Sequence, residues 1–92
     1  MNNNEFTYIK EVAKQKSSSK ASKALGISQP ALSNYIKKLE DRMGVLLFDR
    51  SISPIEITEF GKAYLEYAED VISATDRLND VMSDLQDLKK EK

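Results

Sequence analysis

The feature that most constrains the fold is a pair of helical patterns joined through "LGISQP", residues 25–30. Gly26 follows the last apolar residue of the first pattern and suits the left-handed conformation that ends many helices. Ser28 offers an N-cap hydroxyl to the next helix, and Pro30 lies in the first turn, where a missing N–H is tolerated. The connection is therefore short, and the sequence predicts a helix-turn-helix.

The second helix of this pair, about residues 29–43, has two faces of different character. One face repeats apolar residues at helical spacing and is expected to pack on a core; its members are Leu32, Ile36, Leu39 and Met43. The other face is small and polar, which suits close approach to base edges in a major groove. The candidate base-contacting residues on it are Gln29, Pro30, Ser33 and Asn34. A plain cap or a solvated face is the alternative for each residue alone, and the combination favours DNA.

The charge distribution supports a polyanionic partner for the first two thirds of the chain. Residues 1–62 carry ten basic and seven acidic side chains, a net charge of +3. Residues 63–92 carry four basic and eight acidic side chains, a net charge of -4, and the two segments sum to the total of -1. Such asymmetry indicates that one part meets a polyanion, although uneven surface charge is the alternative. The candidate contacts to the DNA backbone are Ser19, Lys20, Ser28, Lys37, Lys38, Arg50 and Ser53.

The elements around the central pair complete a small domain. Residues 5–16 predict a packing helix with an apolar face formed by Phe6, Ile9, Val12 and Ala13. Ser19 is the expected N-cap of the short helix that ends at Gly26. After Gly44, residues 45–48 are continuously apolar, and residues 55–58 alternate between apolar and polar. With Pro54 at a turn or an edge, this predicts a short hairpin over about residues 48–57.

This hairpin is a candidate wing beside the recognition helix. Arg50 is placed there on a DNA phosphate, and its alternative role is a salt bridge to Asp41 or Glu40.

The segment from Thr58 to about residue 88 has the most regular periodicity in the chain. Thr58 is the expected cap, and apolar residues recur at alternating spacings of four and three, which is a heptad seam. A helix of roughly thirty residues extends about 45 Å, beyond what a small domain covers, so the stripe needs a partner. A second copy is the simplest partner; a helix folded back on its own domain, or on a missing one, is the alternative. The predicted dimerisation residues are Tyr64, Ala68, Val71, Thr75, Leu78, Val81, Met82 and Leu85.

Composition excludes several function classes. The chain has no cysteine and no histidine, so disulfides, the usual zinc sites and catalytic triads are absent, and no metal, cofactor or enzymatic activity is predicted. No signal peptide pattern and no long apolar run is found, so we expect a cytoplasmic, nucleoid-associated protein with no membrane partner. A coiled-coil interaction module and a non-specific architectural DNA-binding protein are the alternatives to sequence-specific DNA binding.

One ordered series of motifs resembles a known family. "SQPALSNYIKKLEDRMGVLLFDR" followed by "IEITEFGKAYL" is similar to the DNA-binding domain of the LysR-type transcriptional regulators. The resemblance implies a mainly α fold: a winged helix-turn-helix over residues 1–58 and a long linker helix over 59–92. It also implies a bacterial homodimer, or a higher oligomer, that binds an interrupted palindromic operator in double-stranded DNA.

The resemblance also carries expectations about single residues. Gln29, Pro30, Ser33 and Asn34 match positions that face bases in this family, and Arg50 matches its Leu-Phe-x-Arg motif. Asn34 stands where arginine is common, Ser22 where a second alanine is usual, and Ser53 at a wing position that is often arginine. Fewer cations imply weaker phosphate binding. Full-length members continue into an effector-binding domain, so this segment is expected to bind no effector and to be either an excised piece or a naturally short protein.

Overall fold

The computed structural model describes residues 3–90, in four helices and one two-stranded hairpin. The elements are α1 (Asn3–Gln15), α2 (Ser18–Leu25), α3 (Gln29–Met43), β1 (Phe48–Asp49), β2 (Glu56–Ile57) and α4 (Glu59–Lys90). The strands pair antiparallel, with Phe48 opposite Ile57. The predicted mainly α winged helix-turn-helix with a long final helix is therefore confirmed. None of the described helices is long and apolar enough to cross a membrane.

The core lies where α1, α2, α3 and the start of α4 meet under the hairpin. Apolar residues at helical spacing on α1 and α3 supply most of it, as their patterns predict. The buried members are Phe6, Ile9, Val12, Ala21, Leu32, Ile36, Leu39, Leu47, Phe48, Tyr64 and Ala68. Met43 was predicted to join them but is 44% exposed, because it lies on the last turn of α3, beyond the packed part of the helix.

The cap of α2 lies two residues earlier than predicted. Ser17 has an extended backbone, and its hydroxyl accepts a hydrogen bond from the Lys20 amide at 3.2 Å. Ser19 is already inside the helix, so its prediction as the N-cap is wrong. Any of three consecutive serines has the required hydroxyl, and Ser17 is the one that places Ala21 and Ser22 on the buried face.

The turn between α2 and α3 has the predicted chemistry. Gly26 adopts a left-handed conformation (φ 72°), and the amide of Ile27 donates to the carbonyl of Ser22 at 3.1 Å, which closes the helix end. The Ser28 hydroxyl accepts from the Ala31 amide at 3.2 Å, so Ser28 caps α3 as predicted. At the far end, Gly44 is left-handed (φ 75°) and terminates α3.

Thr58 fixes α4 to the hairpin. Its hydroxyl donates to the Leu46 carbonyl at 2.6 Å and accepts from the Gly61 amide at 3.1 Å, so the predicted cap is confirmed. Gly61 is buried beneath the hairpin, where a Cβ would lie 2.5 Å from Cγ1 of Ile57 and against the carbonyl oxygen of Leu47. Only a residue without a side chain allows the helix to start so close to the strands.

The predicted dimer seam divides in the structure. Tyr64 and Ala68 are only 6% and 2% exposed, because the first turns of α4 pack on α1, and their assignment to an intermolecular seam is therefore wrong. Val71 and Thr75 are half-buried. Beyond them the apolar residues have no cover within the described part of the chain; these are Leu78, Val81, Met82 and Leu85, between 52% and 58% exposed.

Candidate nucleic-acid interface

The N-terminal face of α3 is open to solvent. Gln29, Pro30 and Asn34 are exposed and Ser33 is half-buried, so the structure brings together on one surface all four residues predicted to contact bases. The opposite face holds α3 in place through Leu32, Ile36 and Leu39, which are at most 3% exposed. The helix is thus anchored on one side and accessible on the other.

The residues predicted to contact the DNA backbone lie on α2, on α3 and in the hairpin. Lys20 lies on α2, Lys37 and Lys38 lie on α3, and all three are exposed. Ser19 is exposed on α2 although it is not the cap, and Ser53 is exposed in the loop between the strands. Ser28 is exposed as well, but its hydroxyl already serves the α3 cap.

Position 22, where the family resemblance implies an alanine, carries a serine whose hydroxyl is paired. The Ser22 side chain is buried, and its hydroxyl donates to the carbonyl of Ser19 at 2.8 Å. This bond within the helix satisfies the only polar group that the substitution adds. The departure from the family pattern at this position is therefore accommodated inside α2.

The wing is tied to α3 by one buried carboxylate. Glu40 is 4% exposed, and its Oε2 accepts from the backbone amides of Leu47 at 2.7 Å and Phe48 at 3.3 Å. Oε1 of Glu40 is 3.0 Å from Nη1 of Arg50. The alternative role that the sequence left open for Arg50 is thus present in the structure. Its side chain is still 41% exposed, so the phosphate contact remains a prediction.

A groove of about 380 Å³ runs between α3 and the wing, with polar and charged residues among those that line it. Predicted base and backbone contacts from both elements meet in it. Its lining residues are Ser33, Asn34, Lys37, Glu40, Asp41, Leu46 and Arg50. In the wing, the hydroxyl and the backbone amide of Ser51 both donate hydrogen bonds to Oδ1 of Asp49, and these bonds lower the pKa of the Asp49 carboxyl.

An apolar groove of about 470 Å³ lies on another side, between the end of α3 and the start of α4. Met43, Phe60 and Tyr67 line it, and each is between 44% and 58% exposed. Its floor includes Tyr64, whose pKa is raised by burial and then by a hydrogen bond to Glu5. Phe60 and Tyr67 were absent from the predicted site residues. Their spacing of seven residues, in step with the heptad pattern of α4, is the signal that could have found them.

Sequence reasoning also missed the role of Glu40, which it treated only as one alternative partner for Arg50. The spacing of seven residues between Glu40 and Leu47 gives no periodic signal, because the carboxylate bonds to backbone amides. A glutamate among the apolar residues of α3 was the available hint, since a buried charge requires several partners. The described residues hold no group of three or more side chains suited to a metal ion.

The fold and this surface define the class: a winged helix-turn-helix domain with an extended C-terminal helix. Comparison with known proteins gives the family. A family model described as "Bacterial regulatory helix-turn-helix protein, lysR family" matches residues 4–62, and the chain belongs to that family. The predicted resemblance to LysR-type transcriptional regulators is confirmed.

Individual relatives agree with this assignment. The HTH-type transcriptional regulator YcgK of Bacillus subtilis is 44% identical over 71 residues, which cover 77% of this chain and 22% of YcgK. A structure of the BenM DNA-binding domain with benA site 1 DNA has a TM-score of 0.81 at 29% identity, covering 92% of this chain and 96% of that one. The CbnR DNA-binding domain in complex with DNA has a TM-score of 0.76 at 34% identity, covering 87% and 92%. The chain spans about a quarter of the length of the first curated relatives.

Proposed function

We propose that this chain binds double-stranded DNA in a sequence-specific manner, as the DNA-binding portion of a LysR-type transcriptional regulator. The observation that carries the proposal is the exposed face of α3. Gln29, Pro30 and Asn34 are accessible on it, while the other face of the helix is locked in the core. The first turns of such a helix enter the major groove and read base edges. Two related domains of similar fold are in complex with DNA.

The proposed contacts divide into two groups. Gln29, Pro30, Ser33 and Asn34 read bases, and an asparagine amide suits the N6 and N7 atoms of adenine. The phosphate contacts come from Ser19, Lys20, Ser28, Lys37, Lys38, Arg50 and Ser53, which set register and orientation. In the proposed complex the wing lies beside the major groove, and Arg50 contacts a phosphate of the DNA backbone.

The exposed stripe of α4 supports dimerisation. Leu78, Val81, Met82 and Leu85 form an apolar surface beyond the domain, and a second α4 would cover it. The domain is then residues 1–58 and the dimerisation helix 59–92. A dimer with a two-fold axis presents two recognition helices to two half-sites, hence an interrupted palindrome.

The proposed role is binding without catalysis. The relatives reported above are transcriptional regulators, and the proposal includes no effector site on this segment. Action at the bacterial nucleoid places the protein in the cytoplasm, and this location is part of the proposal.

Selection of bound sequences from random duplex DNA tests the proposal directly. We expect enrichment of a two-fold symmetric motif, an affinity premium over random duplex of about 10³ or more, and affinity that falls steeply with salt. Salt-dependent binding without an enriched motif would favour an architectural DNA-binding protein. A dimer that does not bind duplex at all would favour an interaction module.

A further inference from the structure

We propose that Glu40 is a positioning residue for DNA binding: it fixes the wing to the recognition helix and presents one edge of the Arg50 guanidinium to a backbone phosphate. This inference rests on the proposed function. Glu40 itself touches no DNA in this arrangement, and it acts entirely through Arg50 and the backbone of the wing.

The wing is attached to α3 through its backbone. Oε2 of Glu40 accepts from two successive backbone amides, Leu47 at 2.7 Å and Phe48 at 3.3 Å, immediately before and inside β1. Because both donors are main-chain groups, they fix the path of the chain and not merely a side chain. The carboxylate lies on α3 and is 4% exposed, so the strand is tied to the recognition helix by an interaction shielded from water.

Arg50 contacts Glu40 through one nitrogen of its guanidinium. Its Nη1 donates to Oε1 of Glu40 at 3.0 Å and approaches Oε2 at 3.4 Å. The guanidinium is a rigid planar fork with five N–H donors, and Nε and Nη2 form no hydrogen bond with any residue from 3 to 90. Those two nitrogens make an edge that suits a phosphate with two parallel hydrogen bonds. Glu40 therefore engages one side of the fork and leaves the other side for an anion.

The groove shows where the anion fits. Arg50 lines one side of it from the wing, and Lys37 with Asn34 lines it from α3. A phosphate in the groove would meet a cation from each element. Glu40 sets the spacing between them, because it ties β1 to α3: Arg50 directly follows β1, and Lys37 lies on α3.

Glu40 could also act on DNA directly through its charge, and the sign of the change in affinity separates the two roles. A carboxylate near DNA repels phosphate, so if Glu40 acted only as a competing anion, Glu40→Gln would tighten binding. Asp41 is the matched control, because it lines the same groove, is exposed and pairs with no described residue. Asp41→Asn removes the same charge without releasing the wing.

The experiment measures duplex affinity and its salt dependence for the whole chain and four variants: Glu40→Gln, Asp41→Asn, Arg50→Ala and the double variant E40Q R50A. We expect Arg50→Ala to lower the magnitude of the salt slope by about 0.9, the value for one phosphate contact. Glu40→Gln should lower it by a similar amount and weaken binding roughly tenfold, the scale of one charge-assisted hydrogen bond. The double variant E40Q R50A should then have nearly the same duplex affinity and salt slope as Glu40→Gln alone. Asp41→Asn should bind as tightly as the parent or more tightly.

A merely structural role for Glu40 predicts something different. In that case Glu40→Gln would lower the melting temperature and the fraction of protein able to bind DNA. The salt slope of the folded molecules would stay unchanged. A folded Glu40→Gln variant with an unchanged slope, or with tighter binding like Asp41→Asn, overturns the inference.

If Glu40→Gln does not fold, Arg50→Lys decides. Lysine keeps the charge, but its single ammonium would sit on Glu40 and present no second edge, so Arg50→Lys should resemble Arg50→Ala. An Arg50→Lys variant that binds like the parent overturns the inference. A parent protein whose duplex binding has no salt dependence would instead overturn the proposed function itself.

Discussion

The Tyr64 hydroxyl donates a 2.7 Å hydrogen bond to Oε1 of Glu5 and joins α4 to α1 across 59 residues of sequence. The other oxygen of Glu5 accepts from Nη2 of Arg42 at 3.0 Å. One carboxylate thus links α1, α3 and the start of α4. Because α3 is the proposed recognition helix, this link ties the start of the long helix to it.

Removing the Tyr64 hydroxyl should weaken this junction and alter its pH dependence. Tyr64→Phe is expected to lower the free energy of unfolding by about 1 kcal/mol, the usual value of one hydrogen bond. Burial and the bond to Glu5 raise the Tyr64 pKa above its ordinary value of 10.0 in the folded state. Above about pH 10 the unfolded chain therefore binds fewer protons, and stability falls as pH rises. Urea unfolding between pH 7 and 11 should therefore show that the free energy of unfolding falls less steeply with pH in Tyr64→Phe than in the parent protein.

Tyr67→Phe is the matched control for this measurement. Tyr67 is 58% exposed, and its hydroxyl forms no hydrogen bond within residues 3–90. Its removal should change stability by no more than about 0.5 kcal/mol, as for other exposed positions. An equal pH profile for the parent and Tyr64→Phe would contradict the assigned role of the Tyr64 hydroxyl.

Gly61→Ala should destabilise the domain, although alanine is the better helix former by about 1 kcal/mol. The added Cβ would collide with the Leu47 carbonyl and with Ile57, and such overpacking costs about 1–3 kcal/mol. Thermal unfolding followed by circular dichroism measures the effect. A higher melting temperature for Gly61→Ala would show that α4 does not approach the hairpin this closely.

The elements governed by local chemistry could be predicted from the sequence. Gly26, Ser28 and Gly44 fix the ends of α2 and α3 through backbone conformation and capping, which depend on a few neighbouring residues. The predicted cap of α2 was wrong by two residues, because three consecutive serines offer the same hydroxyl. Only packing of the next turn distinguishes Ser17 from Ser19.

The partner of an apolar face could not be predicted in the same way. Tyr64 and Leu78 belong to one heptad pattern, yet the first is buried in the domain and the second is 58% exposed. A heptad pattern indicates that one face of a helix is apolar, but it does not identify which element covers that face. The hydrogen bonds from the amides of Leu47 and Phe48 to Glu40 also depend on tertiary structure, since they join a helix to the hairpin through backbone groups. The candidate site was therefore predictable as a surface, but the residue that holds its two parts together was not.

Asn34→Ala should alter base preference more than overall affinity. Asn34 is exposed in the first turns of α3, so its loss is expected to cost about 1–3 kcal/mol at one base position and to relax the preference there. Binding to a panel of single-base operator variants measures this. Lys37→Ala is the control, because losing a phosphate contact should weaken all sequences alike and lower the salt slope by about 0.9. Uniform weakening by Asn34→Ala would contradict base reading.

Leu78→Asp should separate a dimer into monomers. Leu78 lies in the middle of the exposed stripe of α4, and a charge there would be buried without a partner in any helix pair that covers the stripe. Sedimentation should show half the parent mass. Affinity for a two-half-site operator should fall by about 10²-fold, because the second half-site contact is no longer intramolecular, while single half-site binding should change little. Ser83→Asp adds the same charge on the outer face of the same helix and should leave the mass unchanged, so equal behaviour of the two variants would reject the stripe as the dimer interface.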